Sequence, residues 1–133
     1  WYNYEDVTKP KPETQKKMSF VPQGGNWKDI PAEINTYGPD THSCIMRRLE
    51  WNKPSITLTN FRKSNILHPE ENRILSVAEA AAIMGLDKNF KFLGTLSEKQ
   101  QMVANGVTQA IGRFVKKLVL NALDNEKNSF CPA

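Results

Sequence analysis

Ile111, Phe114, Val115, Leu118 and Ala122 fall at i, i+3, i+4, i+7 and i+11, which is one face of an α-helix. Such a stripe must bury against something. The spacing therefore predicts a helix capped by Thr108 and running to Leu123, together with a core for it to face. Two more helices are signalled upstream of it. Ser76-Val77-Ala78-Glu79 has the form of a capping box, with an alanine-rich run to Met84 that Gly85 stops. Ser97-Glu98-Lys99-Gln100 offers a second box opening toward Met102 and Val103.

The first half has no comparable period. Pro10, Pro12 and Pro22, interleaved with Lys9, Lys11, Lys16 and Lys17, predict an extended, irregular arm over residues 1–22. After Gly24, Gly25 and Asn26 a short helix is expected from Asp29 to Asn35, with Asp29 as cap and Pro31 in the first turn. Gly38, Pro39 and Asp40 end it. Ser55-Ile56-Thr57-Leu58-Thr59 alternates like a half-buried strand, and Pro54 suits the position just before one. The fold class is thus α+β, a small mixed domain of short strands followed by helices, and the tail from Asn125 is expected to fray.

A chain of 133 residues with 39% hydrophobic content suits one modest domain and excludes a large multidomain enzyme. The net charge of +4 is spread so evenly that no quarter of the chain exceeds +2, so charge alone does not specify nucleic acid. No apolar run is long enough to span a bilayer, and no membrane role is expected. Trp1 is preceded by no basic, apolar leader, which suggests a fragment or processed product that is not secreted. Cys44 and Cys131 match no metal-binding pattern and are expected to be reduced thiols. His42 and His68 lack a third ligand at a plausible spacing, so no metal site is expected.

Three strings, in order, carry a resemblance. Arg48-Leu49-Glu50-Trp51-Asn52-Lys53-Pro54-Ser55-Ile56-Thr57-Leu58-Thr59 resembles the ninth ordered motif of the DNA cytosine-5 methyltransferases. His68-Pro69-Glu70-Glu71-Asn72-Arg73, followed by Leu75 to Ala81, Met84-Gly85 and Phe90, is similar to the segment after it in that family. Gln101-Met102-Val103-Ala104-Asn105-Gly106-Val107 resembles the tenth motif, which an amphipathic helix also follows there. Val21 to Trp27 is similar to a stretch common just after the target-recognition region, so the likeness covers roughly residues 18–123. Ile56 replaces a frequent second Pro, Ala104 the leading Gly, and Thr108-Gln109 a Pro-rich continuation. The family's catalytic Pro-Cys pair, Glu-Asn-Val string, Gln-x-Arg-x-Arg string and Gly-rich first cofactor motif do not occur, and Cys131-Pro132 has the order reversed.

The resemblance implies a division of the chain. Residues 1–22 would end the target-recognition region, 23–94 form a small domain with motif IX, and 95–125 carry motif X with a helix that completes the catalytic domain, before a tail at 126–133. That C-terminal helix would dock on a doubly wound α/β methyltransferase domain supplied elsewhere. In this family a cytosine leaves the stack, a cysteine thiolate attacks it, and C5 takes a methyl group from S-adenosylmethionine. This chain lacks the nucleophile. It is therefore expected to be the C-terminal portion or a split subunit of such an enzyme, inactive alone and working with a catalytic half on duplex DNA, as in bacterial or phage restriction-modification. The alternatives are a non-enzymatic DNA-binding or regulatory module and a degenerate remnant.

The implied roles fall on few residues. Asn105, Gly106 and Val107 match positions lining the methionine and ribose end of the cofactor pocket; the alternative is a loop-to-helix turn in which Asn105 and Gly106 merely accept positive φ. Arg48, Lys53, Ser55 and Thr57 are suited to phosphate oxygens or to a hinge; the alternative is a solvated strand with a surface pair between Arg48 and Glu50. Arg47, Arg62 and Lys63 read as solvated cations. Trp27 and Trp51 read as anchors of a small core, and His68 as the start of a turn before the Ser76 helix.

Overall fold

A computed structural model describes residues 2–58 and 60–129. Thr59 and the Cys131 thiol lie outside the described residues. Four α-helices follow in order: α1 (Pro12–Met18), α2 (Val77–Ile83), α3 (Leu96–Asn105) and α4 (Gln109–Ser129), with a 3-10 turn over Trp27–Asp29 between the first two.

The boxes explain where helices begin. Ser76 Oγ accepts the Glu79 N–H while the Glu79 carboxylate accepts the Ser76 N–H, closing α2 as expected, and Gly85 at φ 73° stops it. In α3 the expected box sits elsewhere. Thr95 is the cap and Glu98 closes the box, so Ser97 lies inside the first turn. The helix expected from Asp29 is instead a 3-10 turn capped by Asn26, in which Asp29 closes the box from inside, with a turn at Pro31 after it. The arm is not wholly irregular either. Pro12 sits in the first turn of α1, where its missing N–H is harmless. Upstream of α1 the chain is strapped to the helices: Val77 N–H reaches the Asp6 carbonyl at 3.0 Å, Lys99 pairs with Asp6 at 2.8 Å, and Gln100 Nε2 donates to Thr8 Oγ1 at 2.9 Å.

No strand ladder forms among the described residues, only single bridges at Arg48 to Leu67 (parallel) and Leu67 to Ile74 (antiparallel). Ser55 to Leu58 keeps the burial of a half-buried strand, with Leu58 buried and Thr57 exposed, but has no pairing partner. Over the described residues 55–58 the expected strand is therefore not formed.

Two cores result. Met18, Val21, Trp27, Ile30, Met46, Leu67 and Ile74 form one, where α1 and the 3-10 turn pack over the central bridge. Leu49, Leu58, Phe61, Ile66, Leu75, Val77, Ala80 and Val103 belong to the other, under α2 and α3. Val103 and Leu96 thus share a core with residues upstream of 94, across the boundary expected there. Among the described residues the α4 stripe meets no core. Ile111, Phe114, Val115 and Leu118 are all exposed, Phe114 at 62%.

Candidate functional site

Arg48 stands at the junction of the chain's loops, and its guanidinium points inward. It is 4% exposed. Its Nε donates to Val21 O at 2.7 Å, Nη1 to His68 O at 2.7 Å and Glu71 O at 2.8 Å, and Nη2 to Met18 O at 2.7 Å and Asn72 Oδ1 at 2.8 Å. All five N–H groups of the fork are engaged. Burial without a carboxylate partner pushes its pKa below the ordinary arginine value. The surface pair with Glu50 that stood as the alternative is made by Lys53, at 2.9 Å. Arg48 has no donor left for a phosphate.

Its neighbour takes the opposite direction. Arg47, half-buried, lines an open depression of about 510 Å³ with Ser43, Cys44, Ile56 and Thr57. In sequence Arg47 reads as a solvated cation, and the inward commitment of Arg48 is what singles it out. Lys53 and Ser55 border a different groove of about 450 Å³, floored by Leu49 and Leu75 and walled by Trp51 and Ile83. Ser55 Oγ donates to its neighbour's carbonyl, Ile56 O, at 2.9 Å. The four residues expected to meet DNA thus divide among three settings.

Trp27 is a core anchor as expected, its Nε1 donating to His42 O at 3.1 Å. Trp51 is not. It is 59% exposed, held by Nε1 to Glu70 Oε1 at 2.8 Å and edge-on to His68. His68 is structural: Nδ1 accepts the N–H groups of Glu70 and Glu71 at 3.2 and 3.0 Å, shaping the turn before α2. Arg73 clamps that turn from the other side, bonding Glu71 and, bidentately, Glu79 at 2.8 Å. Burial works against the Glu79 charge, but the Arg73 guanidinium and the Ser76 N–H and hydroxyl outweigh it and bring the pKa down to about 2.

At the end of α3, Asn105 is the last helical residue and Gly106 follows at φ −71°. Neither adopts the positive φ that the turn reading expected of these two positions. Gly106 instead relieves a tight approach: a Cβ there would stand 3.2 Å from Val103 O and 3.4 Å from Met84 Cε. Asn105 Oδ1 accepts from Gln101 Nε2 at 2.7 Å, one helical turn earlier. Both side chains border an open depression of about 560 Å³ with Leu93, Gly94, Glu98 and Met102. Val107 is 69% exposed in the link to α4.

Comparison with known proteins bears on these faces. Residues 1–120 match the family described as C-5 cytosine-specific DNA methylase. The chain is 35% identical over 111 residues to Type II methyltransferase M1.HphI of Haemophilus parahaemolyticus, which covers 84% of this chain and 29% of that protein. It is 34% identical over 117 residues to M.Eco47II of Escherichia coli, covering 80% of this chain and 28% of the relative. Against M.Sau96I of Staphylococcus aureus it is 26% identical over 128 residues, 89% of this chain and 30% of the relative. The chain spans just under a third of the length of these curated relatives.

Proposed function

The chain belongs to the C-5 cytosine-specific DNA methylase family, and on that premise we propose that it is the C-terminal portion of a DNA cytosine-5 methyltransferase, working with a catalytic part on duplex DNA. The carrying observation is α4, whose apolar stripe stands exposed along the helix immediately after the candidate cofactor residues. A stripe of that kind is stabilised only by burial. Its partner in this reading is the doubly wound domain that relatives of about three times this length have room for.

The residues at the α3 terminus fit one wall of an S-adenosylmethionine pocket. Asn105 offers an amide, Leu93 and Met102 offer apolar surface, and Gly106 lets the chain pass close under Met84. The cofactor supplies the methyl group. Asn105 would orient the ligand, and Val107 would pack beside it once α4 is docked. On the DNA side, Lys53, Ser55, Thr57 and Arg47 would meet phosphate oxygens, which position a duplex without reading its sequence. Arg48 contributes by fixing the loops that carry them. Among the described residues no helix is long and apolar enough to cross a membrane, and a cytoplasmic location belongs to the same proposal.

Reconstitution tests it. The chain is mixed with, or fused to, the catalytic part, and labelled methyl incorporation into duplex DNA is measured. Incorporation is expected only with both parts present. Incorporation by this chain alone overturns the reading, and inhibition of an already complete methyltransferase favours a regulatory module instead.

A further inference from the structure

We infer that Gln101 is a positioning residue that turns the Asn105 amide so that Nδ2, a hydrogen-bond donor, faces the ligand. The inference rests on the cofactor reading of Asn105. It adds the chemistry of the group recognised there, an acceptor oxygen.

The orientation follows from a relay that starts at a group of fixed polarity. The backbone N–H of Lys63 can only donate, and it reaches Asn60 Oδ1 at 3.1 Å. Asn60 is left with its amino end, and Nδ2 donates to Gln101 Oε1 at 3.2 Å. Gln101 in turn is left with Nε2, which donates to Asn105 Oδ1 at 2.7 Å. An amide has one accepting and one donating end, so each link fixes the next. With its oxygen turned to Gln101, Asn105 directs Nδ2, its donor end, away from that residue. The relay also joins the segment after Leu58 to α3, so the same contact that orients the ligand-facing amide ties the candidate DNA-facing stretch to it. On S-adenosylmethionine an acceptor oxygen is available from the ribose or from the methionine carboxylate.

Two isosteric changes reverse the relay without changing its volume. In Gln101→Glu the side chain only accepts, so Asn105 turns Nδ2 inward and presents its oxygen. In Asn60→Asp the carboxylate still accepts from Lys63 but cannot donate to Gln101, which turns and inverts Asn105 from one link further away. Equilibrium affinity for S-adenosylmethionine is measured in the assembled methyltransferase, alongside KM and kcat. Gln101→Glu and Asn60→Asp should each weaken binding about tenfold, raising KM with kcat at saturation unchanged, whereas Gln101→Ala, which frees Asn105 to rotate, should weaken it only about threefold. A packing role predicts the reverse order, because Glu fills the space of Gln and Ala does not. Loss in Gln101→Ala equal to or greater than in Gln101→Glu therefore overturns the inference, as does unchanged affinity in Asn60→Asp. The two positions keep the test readable should one variant unfold. If Asn105→Ala leaves affinity unchanged, the cofactor reading itself has failed; if Asn105→Ala weakens binding and the order above is not met, only the relay has. Repeating the series with 5′-methylthioadenosine, which lacks the carboxylate, locates the acceptor: the loss persists if it is a ribose oxygen and disappears if it is the carboxylate.

Discussion

Arg48 receives no carboxylate, and the carbonyls that hold it come from two separate stretches, Met18 to Val21 and His68 to Asn72. It therefore fastens the end of the arm to the turn before α2. An ammonium cannot span that set of oxygens, so Arg48→Lys should leave buried carbonyls unpaired and destabilise the chain by about 3 kcal/mol or more, read as a fall in the urea midpoint. Wild-type stability in Arg48→Lys would show that the fork is incidental. Glu79 gives a second prediction at this scale. Its folded pKa of about 2 lies below the ordinary value of 4.5, so the unfolded chain binds more protons between the two. The stabilisation is complete above pH 4.5 and is lost as pH falls toward 2, amounting to roughly 3 kcal/mol at most for a side chain 22% exposed. Urea midpoints followed from pH 7 to pH 2 should decline across that window, and Glu79→Gln should flatten the decline. None of this was legible at Arg47-Arg48. Two adjacent cations look alike in sequence, and which one turns inward depends on carbonyls more than 19 residues away on either side.

Helix starts were legible because their determinants lie within four residues. The Ser76 box and the Gly85 stop required nothing distant. The α3 start was misplaced by two residues because two boxes overlap, Thr95 with Glu98 and Ser97 with Gln100, and the Gln100 side chain is drawn to Thr8 Oγ1 instead. The two capping assignments differ measurably: Thr95→Ala should cost about 1 kcal/mol and Ser97→Ala close to nothing, by thermal or urea unfolding. Equal losses would mean that the cap is shared. The strand expected at Ser55 was less legible for a related reason. Alternation reports which side chains turn inward, and Ile56 and Leu58 do pack toward the core, but a ladder needs a second segment alongside. Among the described residues none lies there. The same limit applies to Asn105: its motif string named the position, while the orientation of its amide depends on Asn60, 45 residues earlier and unrelated by any local pattern.

At the scale of the whole molecule, cohesion is uneven. The two cores enclose the residues from Met18 to Val103, and the strap from Asp6 to Lys99 closes them on one side, whereas α4 projects beyond both with Phe114 and Leu118 in solvent. Among the described residues the stripe meets no core of this chain, and the partner expected for it is a domain supplied elsewhere. Burial of one such large side chain is worth about 2 kcal/mol, so docking several of them would bind α4 firmly to a complementary surface. The consequence is a separation of effects. Phe114→Ser with Leu118→Ser should leave the unfolding midpoint of the isolated chain unchanged, since neither side chain touches its core, yet should weaken association with the catalytic part by at least a hundredfold, measured by titration calorimetry or by the concentration needed to restore methyl transfer. The substitution should also reduce self-association of the isolated chain in sedimentation, because exposed stripes of this kind find one another when their partner is missing. A fall in the isolated chain's stability would place the α4 stripe in this chain's own core, and undiminished restoration would remove α4 as the docking element.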